Sequence, residues 1–213
     1  MALAQVEVLK TGGSISYRGD GSSSSPDNVR FVSSPGALTI DYSATNMLNA
    51  VEGTPHALTV VIYHLTDRVA LDQRSRSEEG LRRLLDGEVF DDAVVGVRRI
   101  TLQPSSKGQL VIDRPENGRF VALVAGYHGL QTPASLYVTN YHLGRWMAEG
   151  NSIISKDRWM YSSLPLNLRV NLGEDGMQVT DTGLIYDSMR DVTTLTWRQT
   201  NHELVKKFVA DSP

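Results

Sequence analysis

The stretch Leu58-Thr59-Val60-Val61-Ile62-Tyr63-His64-Leu65 decides the fold. Most of its residues are β-branched or aromatic, and such residues favour a pleated, well-packed strand. Because apolar residues fill both alternating faces of the run, we predict a strand in the middle of a sheet rather than at its edge.

Further strand patterns lie on both sides of this run. Upstream, Leu38-Thr39-Ile40-Asp41-Tyr42 alternates at period two, as a half-buried strand does. Downstream strands are predicted at Val94–Leu102, Gln109–Asp113, Phe120–Tyr127, Trp159–Tyr161, Leu166–Leu172 and Met177–Val179, with strand or loop at Ser135–Tyr141. Short strands separated by turn residues favour an antiparallel β-sandwich over a parallel α/β sheet.

One helical pattern interrupts the strands, at Ser77–Leu85. Ser77 is a suitable N-cap, and Gly87 follows as a helix terminator. Its apolar face consists of Leu81, Leu84 and Leu85. The sequence therefore predicts a mostly-β fold with a short helical insertion after the second core strand.

The composition divides the chain into three regions. Residues 1–36 are rich in serine and glycine, which is typical of a flexible arm. Residues 37–180 hold the predicted sandwich domain. Residues 181–213 form a C-terminal extension that we predict to end in a short helix at Asn201–Ala210.

Several classes of function have no support in the sequence. The net charge is −3 and no basic stripe is present, which argues against binding to nucleic acid. No phosphate-binding glycine loop, metalloprotease motif or nucleophile elbow occurs, and the five histidines are scattered. Neighbouring acids such as Glu78-Glu79 and Asp91-Asp92 point in different directions, so they are poor acid/base pairs. We predict no enzyme activity, no catalytic residue, no cofactor and no metal.

A specific resemblance joins the first strand, its loop, the second strand and the helical insertion. The succession Ile40-Asp41-Tyr42-Ser43-Ala44, Leu48-Asn49 and Leu58–Leu65, followed by a helical stretch, resembles the TssJ lipoprotein family of bacterial type VI secretion systems. The strands Ile100–Pro104 and Phe120–Tyr127 extend the resemblance, which covers roughly residues 37–180. It implies a transthyretin-like sandwich that is a structural component of a trans-envelope secretion complex.

The same resemblance implies a partner and a binding loop. The partner is the periplasmic part of the large inner-membrane subunit, TssM-like, together with other proteins of the secretion complex. The implied loop joins the first two core strands, Thr45 to His56, and its predicted partner-binding residues are Asn46, Met47, Leu48, Asn49, Val51 and Glu52. Apolar residues in a polar loop suit a partner surface. The alternative is that Leu48 and Val51 fold back to close the end of the sandwich.

The sequence departs from the family pattern in ways that bear on location. The family is tethered by a lipidated cysteine after a signal peptide, whereas these residues include no cysteine and no leader pattern. We expect the periplasmic face of the outer membrane if a leader and lipidated cysteine were removed, and the cytoplasm otherwise. Membrane contact would then come only through an anchor absent from this chain. Two segments also differ: Leu130–Ser155 is longer than expected, and the tail after Asp181 has no counterpart.

Two other functions are compatible with a β-sandwich. The first is a cytoplasmic structural subunit of a contractile injection machine or other assembly. The second is a carbohydrate-binding module or hydrolase, in which aromatic residues would stack on sugar rings: Tyr137, Tyr141, Trp146, Trp159 and Tyr161. Aromatic clusters in sandwiches are more often part of the core.

Overall fold

The computed structural model describes the backbone of residues 8–11, 14–17, 21–148 and 158–182, with side chains over 21–144 and 159–182. The predicted helix at Asn201–Ala210 lies outside the described residues. Among the helices that are described, none is long and apolar enough to cross a membrane.

Twelve strands and two α-helices are present in the described ranges. The strands are β1 (Val8–Thr11), β2 (Ser14–Tyr17), β3 (Ser34–Ala44), β4 (Leu58–Leu65), β5 (Val94–Leu102), β6 (Lys107–Arg114), β7 (Phe120–Ala125), β8 (Leu136–Asn140), β9 (Leu143–Ala148), β10 (Arg158–Ser163), β11 (Leu166–Leu172) and β12 (Met177–Asp181). The helices are α1 (Val69–Arg74) and α2 (Glu78–Leu84), and a 3-10 turn spans Pro26–Asn28.

Two four-stranded sheets pack face to face. One has the order β12-β11-β3-β6 and the other β5-β4-β7-β8, while β1–β2 and β9–β10 form separate two-stranded hairpins. The inner faces meet in one apolar cluster, to which β3 contributes Leu38 and Ile40, β4 contributes Val60 and Ile62, and β11 contributes Leu168. The predicted mostly-β sandwich is therefore present.

One strand pairing corrects the prediction of an entirely antiparallel sandwich. Strands β3 and β11 run parallel, with Leu38 opposite Leu166 and Ala44 opposite Leu172. Parallel neighbours need a long crossover, and most of the chain lies between these two strands. The alternating buried residues of β11 lie opposite those of β3. Burial of the inner face would be satisfied by parallel or antiparallel pairing of these strands, so the burial pattern does not predict their relative direction.

Strand β4 lies between β5 and β7 and is buried on both faces. One face joins the core between the sheets, and the other, which includes Val61 and Tyr63, lies beneath the two helices. This double burial explains why its sequence is a continuous apolar run instead of an alternating one.

The helical insertion covers the outer face of the second sheet. Leu71 of α1 and Leu81 and Leu84 of α2 are buried against that face. The Ser77 hydroxyl accepts a hydrogen bond from the amide of Gly80 at 3.1 Å, so the predicted N-cap is confirmed. The insertion is two short helices rather than the single one predicted.

Residues 21–36, which were predicted to belong to a flexible arm, pack against the sandwich. Val29 and Phe31 are buried, and the guanidinium groups of Arg114 and Arg119 lie over the Phe31 ring. Ser23 exchanges two backbone hydrogen bonds with Tyr161 of β10. The apolar side chains of this stretch explain why it docks on the sandwich. The division of the chain into three regions at residues 36 and 180 remains a prediction.

Four connections meet at one end of the sandwich, which we call the loop end. They are residues 45–57 between β3 and β4, 103–106 between β5 and β6, 126–135 between β7 and β8, and 173–176 between β11 and β12. The docked segment 21–33 precedes β3 and lies at the other end. At about 3.3 Å per residue, β3 separates the two ends by about 35 Å.

Candidate functional site

The loop between β3 and β4 is firmly attached at its base. The amide of Thr45 donates to the carbonyl of Leu172 at 2.9 Å, and the carbonyl of Thr45 accepts from the amide of Ser105 at 2.9 Å. Near the other end of the loop, the amide of His56 donates to the carbonyl of Leu48 at 3.0 Å. The loop is thus part of the sandwich framework.

Residues Val51 to Thr54 form a two-residue hairpin within the loop. Val51 and Thr54 exchange two backbone hydrogen bonds of 2.9 Å each. The two residues between them, Glu52 and Gly53, have φ values of 50° and 76°. Positive φ at both central positions is the mark of a type I′ turn, which favours Asn and Gly there. Glu52 is therefore an unfavourable residue held at the tip.

Leu48 is not available to a partner. Its side chain is 0% exposed and belongs to the core between the sheets. The alternative in which Leu48 folds back to close the end of the sandwich is the arrangement that the structure contains, so the prediction of Leu48 as a contact residue is wrong. Truncating Leu48 to alanine would open a cavity in the core, and such a change in a buried leucine typically costs about 2–5 kcal/mol.

The other five predicted residues differ in exposure. Asn46 and Glu52 are exposed, whereas Met47, Asn49 and Val51 are half-buried. Met47 and Val51 therefore present part of their apolar surface at the loop end, next to two polar side chains. A small apolar centre with a polar rim is the usual composition of a protein-binding patch.

The loop end has an uneven charge. Its four connections contain Glu52, Glu174 and Asp175 but no lysine or arginine, and Lys107 follows at the start of β6. Tyr127 is also found here, 3% exposed, beside the backbone of Gly173. Among the described residues the Tyr127 hydroxyl has no hydrogen-bond partner of acceptable geometry, and burial raises the pKa of Tyr127.

A second polar cluster lies at the opposite end of the sandwich. Nε2 of His64 is 2.9 Å from the Tyr141 hydroxyl, and the Arg114 guanidinium lies over the Tyr141 ring at 5.0 Å. The side chain of Arg114 donates two hydrogen bonds to the carbonyl of Val32. Burial, then the charge of Arg114, lowers the pKa of His64 to about 4. All three side chains are at most 3% exposed, so the cluster is closed to a substrate.

Several acidic groups elsewhere have structural partners. Glu78 and Glu79 pair with Arg82 and Arg83 one turn along α2. His142, between β8 and β9, pairs with Asp181 at the end of β12. In the part of the chain that the structure describes, no three His, Asp or Glu side chains come together as metal ligands.

The aromatic residues considered for carbohydrate binding do not share one surface. Tyr141 is 1% exposed and Tyr137 packs against the core. Trp159 and Tyr161 are half-buried on β10, and the side chain of Trp146 lies outside the described residues. A stacking platform that includes Tyr141 is therefore not formed.

The fold and the loop define a sandwich protein with a helical insertion and a structured loop between its first two core strands. A protein-family model described as "Type VI secretion lipoprotein, VasD, EvfM, TssJ" matches residues 36–143, slightly more than half of the chain. The chain belongs to this family, whose members are structural components of the type VI secretion membrane complex rather than known enzymes. The match includes the β3–β4 loop and both helices and ends at the start of β9.

Solved structures of similar shape come from the same secretion system. TssJ1 from Pseudomonas aeruginosa has a TM-score of 0.49 and 16% identity, covering 70% of this chain and 95% of its own. Lip from Serratia marcescens has a TM-score of 0.48 and 14% identity, covering 67% and 96%. A chain in a structure of the TssM C-terminal domain from EAEC has a TM-score of 0.44 and 16% identity, covering 67% and 96%. A search of curated protein sequences finds no match.

Proposed function

We propose that this protein binds the periplasmic part of a TssM-like inner-membrane subunit through the loop between β3 and β4. The observation that carries the proposal is the partly exposed pair Met47 and Val51, presented on a loop whose backbone is bonded to neighbouring connections. A pre-ordered loop loses little conformational entropy on binding, so more of its contact energy contributes to affinity. Asn46 and Glu52 supply the polar rim.

The proposal includes a location and an orientation. As a member of a lipoprotein family with a transthyretin-like sandwich, the protein would be tethered at the periplasmic face of the outer membrane by an anchor on its N-terminal side. Residues 21–33 dock at the end opposite to the loop. A tether continuing from that end would leave the loop end directed away from the membrane.

Two matched substitutions test the proposal by calorimetric titration with the purified periplasmic region of the TssM-like subunit. Val51→Asp places a charge in the apolar centre and should weaken binding at least tenfold. Val89→Asp makes the same chemical change at a residue 69% exposed beside the helices, and should leave binding unchanged. Met47→Asp should behave like Val51→Asp.

Thermal unfolding of each variant shows whether the domain is intact. Deleting Asn46 to Glu52 would be a poor test, because it removes the core residue Leu48. Equal affinity of wild type, Val51→Asp and Met47→Asp would disprove the loop assignment. No binding by the folded wild type would disprove the partner.

A further inference from the structure

Asn49 connects three separate parts of the chain at the loop end. Its side-chain Nδ2 donates to the carbonyl of Ala57 at 3.3 Å, and its Oδ1 accepts from the amide of His128 at 2.9 Å. Its own amide donates to the carbonyl of Gly173 at 3.2 Å. One residue thus ties the β3–β4 loop to itself, to the 126–135 connection and to the β11–β12 turn.

These bonds set narrow demands on the residue type. The backbone of Asn49 is in the left-handed region, with φ of 48°, which Asn tolerates better than most residues. Glycine would satisfy the backbone but make neither side-chain bond. Aspartate would keep an acceptor for the His128 amide but lose the donor to Ala57. Asparagine meets all three requirements at once.

The side chain is therefore used inside the protein, although the sequence pattern placed it among the contact residues. Both Nδ2 and Oδ1 of Asn49 are hydrogen-bonded to backbone groups, so the exposed side chains near it are those of other residues. His128 is exposed on the 126–135 connection, and Glu174 and Asp175 are exposed on the β11–β12 turn. Asn49 fixes the positions of these two connections relative to Met47 and Val51.

We infer that Asn49 is a positioning residue for partner binding, and that the surface it assembles extends from the β3–β4 loop onto the 126–135 connection at His128. The inference rests on the proposed function, because the partner is the same periplasmic region. It adds a second connection to the surface and assigns to Asn49 the geometry between the two. The binding surface is then a composite that no single loop contains.

The test measures affinity for the periplasmic region of the TssM-like subunit in a double-mutant cycle. Asn49→Gly should keep the fold and bind at least tenfold more weakly. His128→Ala should weaken binding several-fold in the wild-type background and have little further effect beside Asn49→Gly, because the connection is no longer fixed. Asn49→Asp, which keeps the acceptor for the His128 amide, should retain more binding than Asn49→Gly.

A matched control is available at the other end of the sandwich. Asn117 also has a left-handed backbone, with φ of 61°, so Asn117→Gly makes the same substitution far from the loop end and should leave affinity unchanged. Hydrogen exchange should show faster exchange of the His128 amide in Asn49→Gly, with the core strands unaffected.

Each outcome has one meaning. Wild-type affinity in Asn49→Gly, or an effect of His128→Ala that is the same in both backgrounds, would overturn the positioning role while leaving the proposed function intact. No effect of His128→Ala in the wild-type background would overturn the composite surface. Failure of the folded wild type to bind would overturn the proposed function together with this inference.

Discussion

Nε2 of His64 lies 2.9 Å from the hydroxyl of Tyr141, and both side chains are almost fully removed from solvent. The two rings are nearly parallel, with centroids 6.1 Å apart. Burial, and after it the nearby positive charge of Arg114, makes a protonated His64 costly. This pair therefore links the stability of the sandwich to pH.

We expect stability to fall as the pH decreases from about 6.5 to about 4. The pKa of His64 is about 4 in the folded protein and 6.5 in the unfolded chain, so protons bind the unfolded state preferentially between these values. The contribution of neutral His64 to the free energy of unfolding is fully present above pH 6.5. Up to about 3 kcal/mol of that free energy is lost by pH 4. Urea unfolding of wild type and His64→Gln between pH 4 and 8 measures the effect. An identical pH dependence of the two proteins would contradict it.

Two buried tyrosines should respond in opposite ways to loss of their hydroxyl groups. The Tyr63 hydroxyl donates to the carbonyl of Leu84 at 2.6 Å, near the end of α2, and burial raises the pKa of Tyr63 to about 12. Tyr63→Phe removes this short buried bond and leaves the Leu84 carbonyl with the longer 3.4 Å bond from the Gly87 amide, which should cost about 1–2 kcal/mol. No described residue pairs with the buried Tyr127 hydroxyl, so Tyr127→Phe should be neutral or stabilising. Urea unfolding of both variants at pH 7 compares them, and equal losses would contradict the assignment.

The strands and the helix cap could be predicted because their signals are local. The apolar run of β4 reflects burial on two faces, and Ser77 caps α2 through a bond only three residues long. Strand β9 was missed because its sequence, Leu143–Ala148, contains a glycine and no β-branched residue, so its local strand signal is weak. The parallel pairing of β3 with β11 has a different cause, since it depends on residues more than 120 positions apart.

The site could be predicted only as a region of the chain. The polar texture of residues 45–57 indicates a loop, and the family resemblance indicates its use. An apolar residue in a loop has the same sequence signal whether it faces a partner or the core, so Leu48 could not be assigned in advance. The bonds of Asn49 to His128 and Gly173 join residues more than 70 positions apart, and no local pattern encodes them.

Replacing Gly80 by alanine should destabilise the helical insertion, although alanine is the better helix former by about 1 kcal/mol. A Cβ at Gly80 would lie 1.8 Å from the carbonyl oxygen of Arg74, so the two helices would have to move apart. We expect a net loss of about 2–4 kcal/mol, which is typical of overpacking against backbone. Arg82→Ala on the exposed side of α2 removes only a surface ion pair and should cost less than about 0.5 kcal/mol. Thermal unfolding distinguishes them, and equal losses would show that the helices adjust freely.

Substitutions at the hairpin tip, Glu52 and Gly53, should change the stability of the protein and its affinity for the partner independently. Glu52 occupies the first central position of the type I′ turn with φ of 50°, where asparagine is preferred, so Glu52→Asn should stabilise the protein by about 0.5–1 kcal/mol. Gly53→Ala should destabilise it by about 1 kcal/mol through the backbone alone, because no described atom apart from its chain neighbours lies within 4 Å of the added Cβ. If the Glu52 carboxylate contacts the partner, Glu52→Asn binds more weakly although its fold is more stable. A gain in stability by urea unfolding together with a loss of affinity by calorimetric titration would show that Glu52 is kept for binding. Unchanged affinity would remove Glu52 from the contact surface.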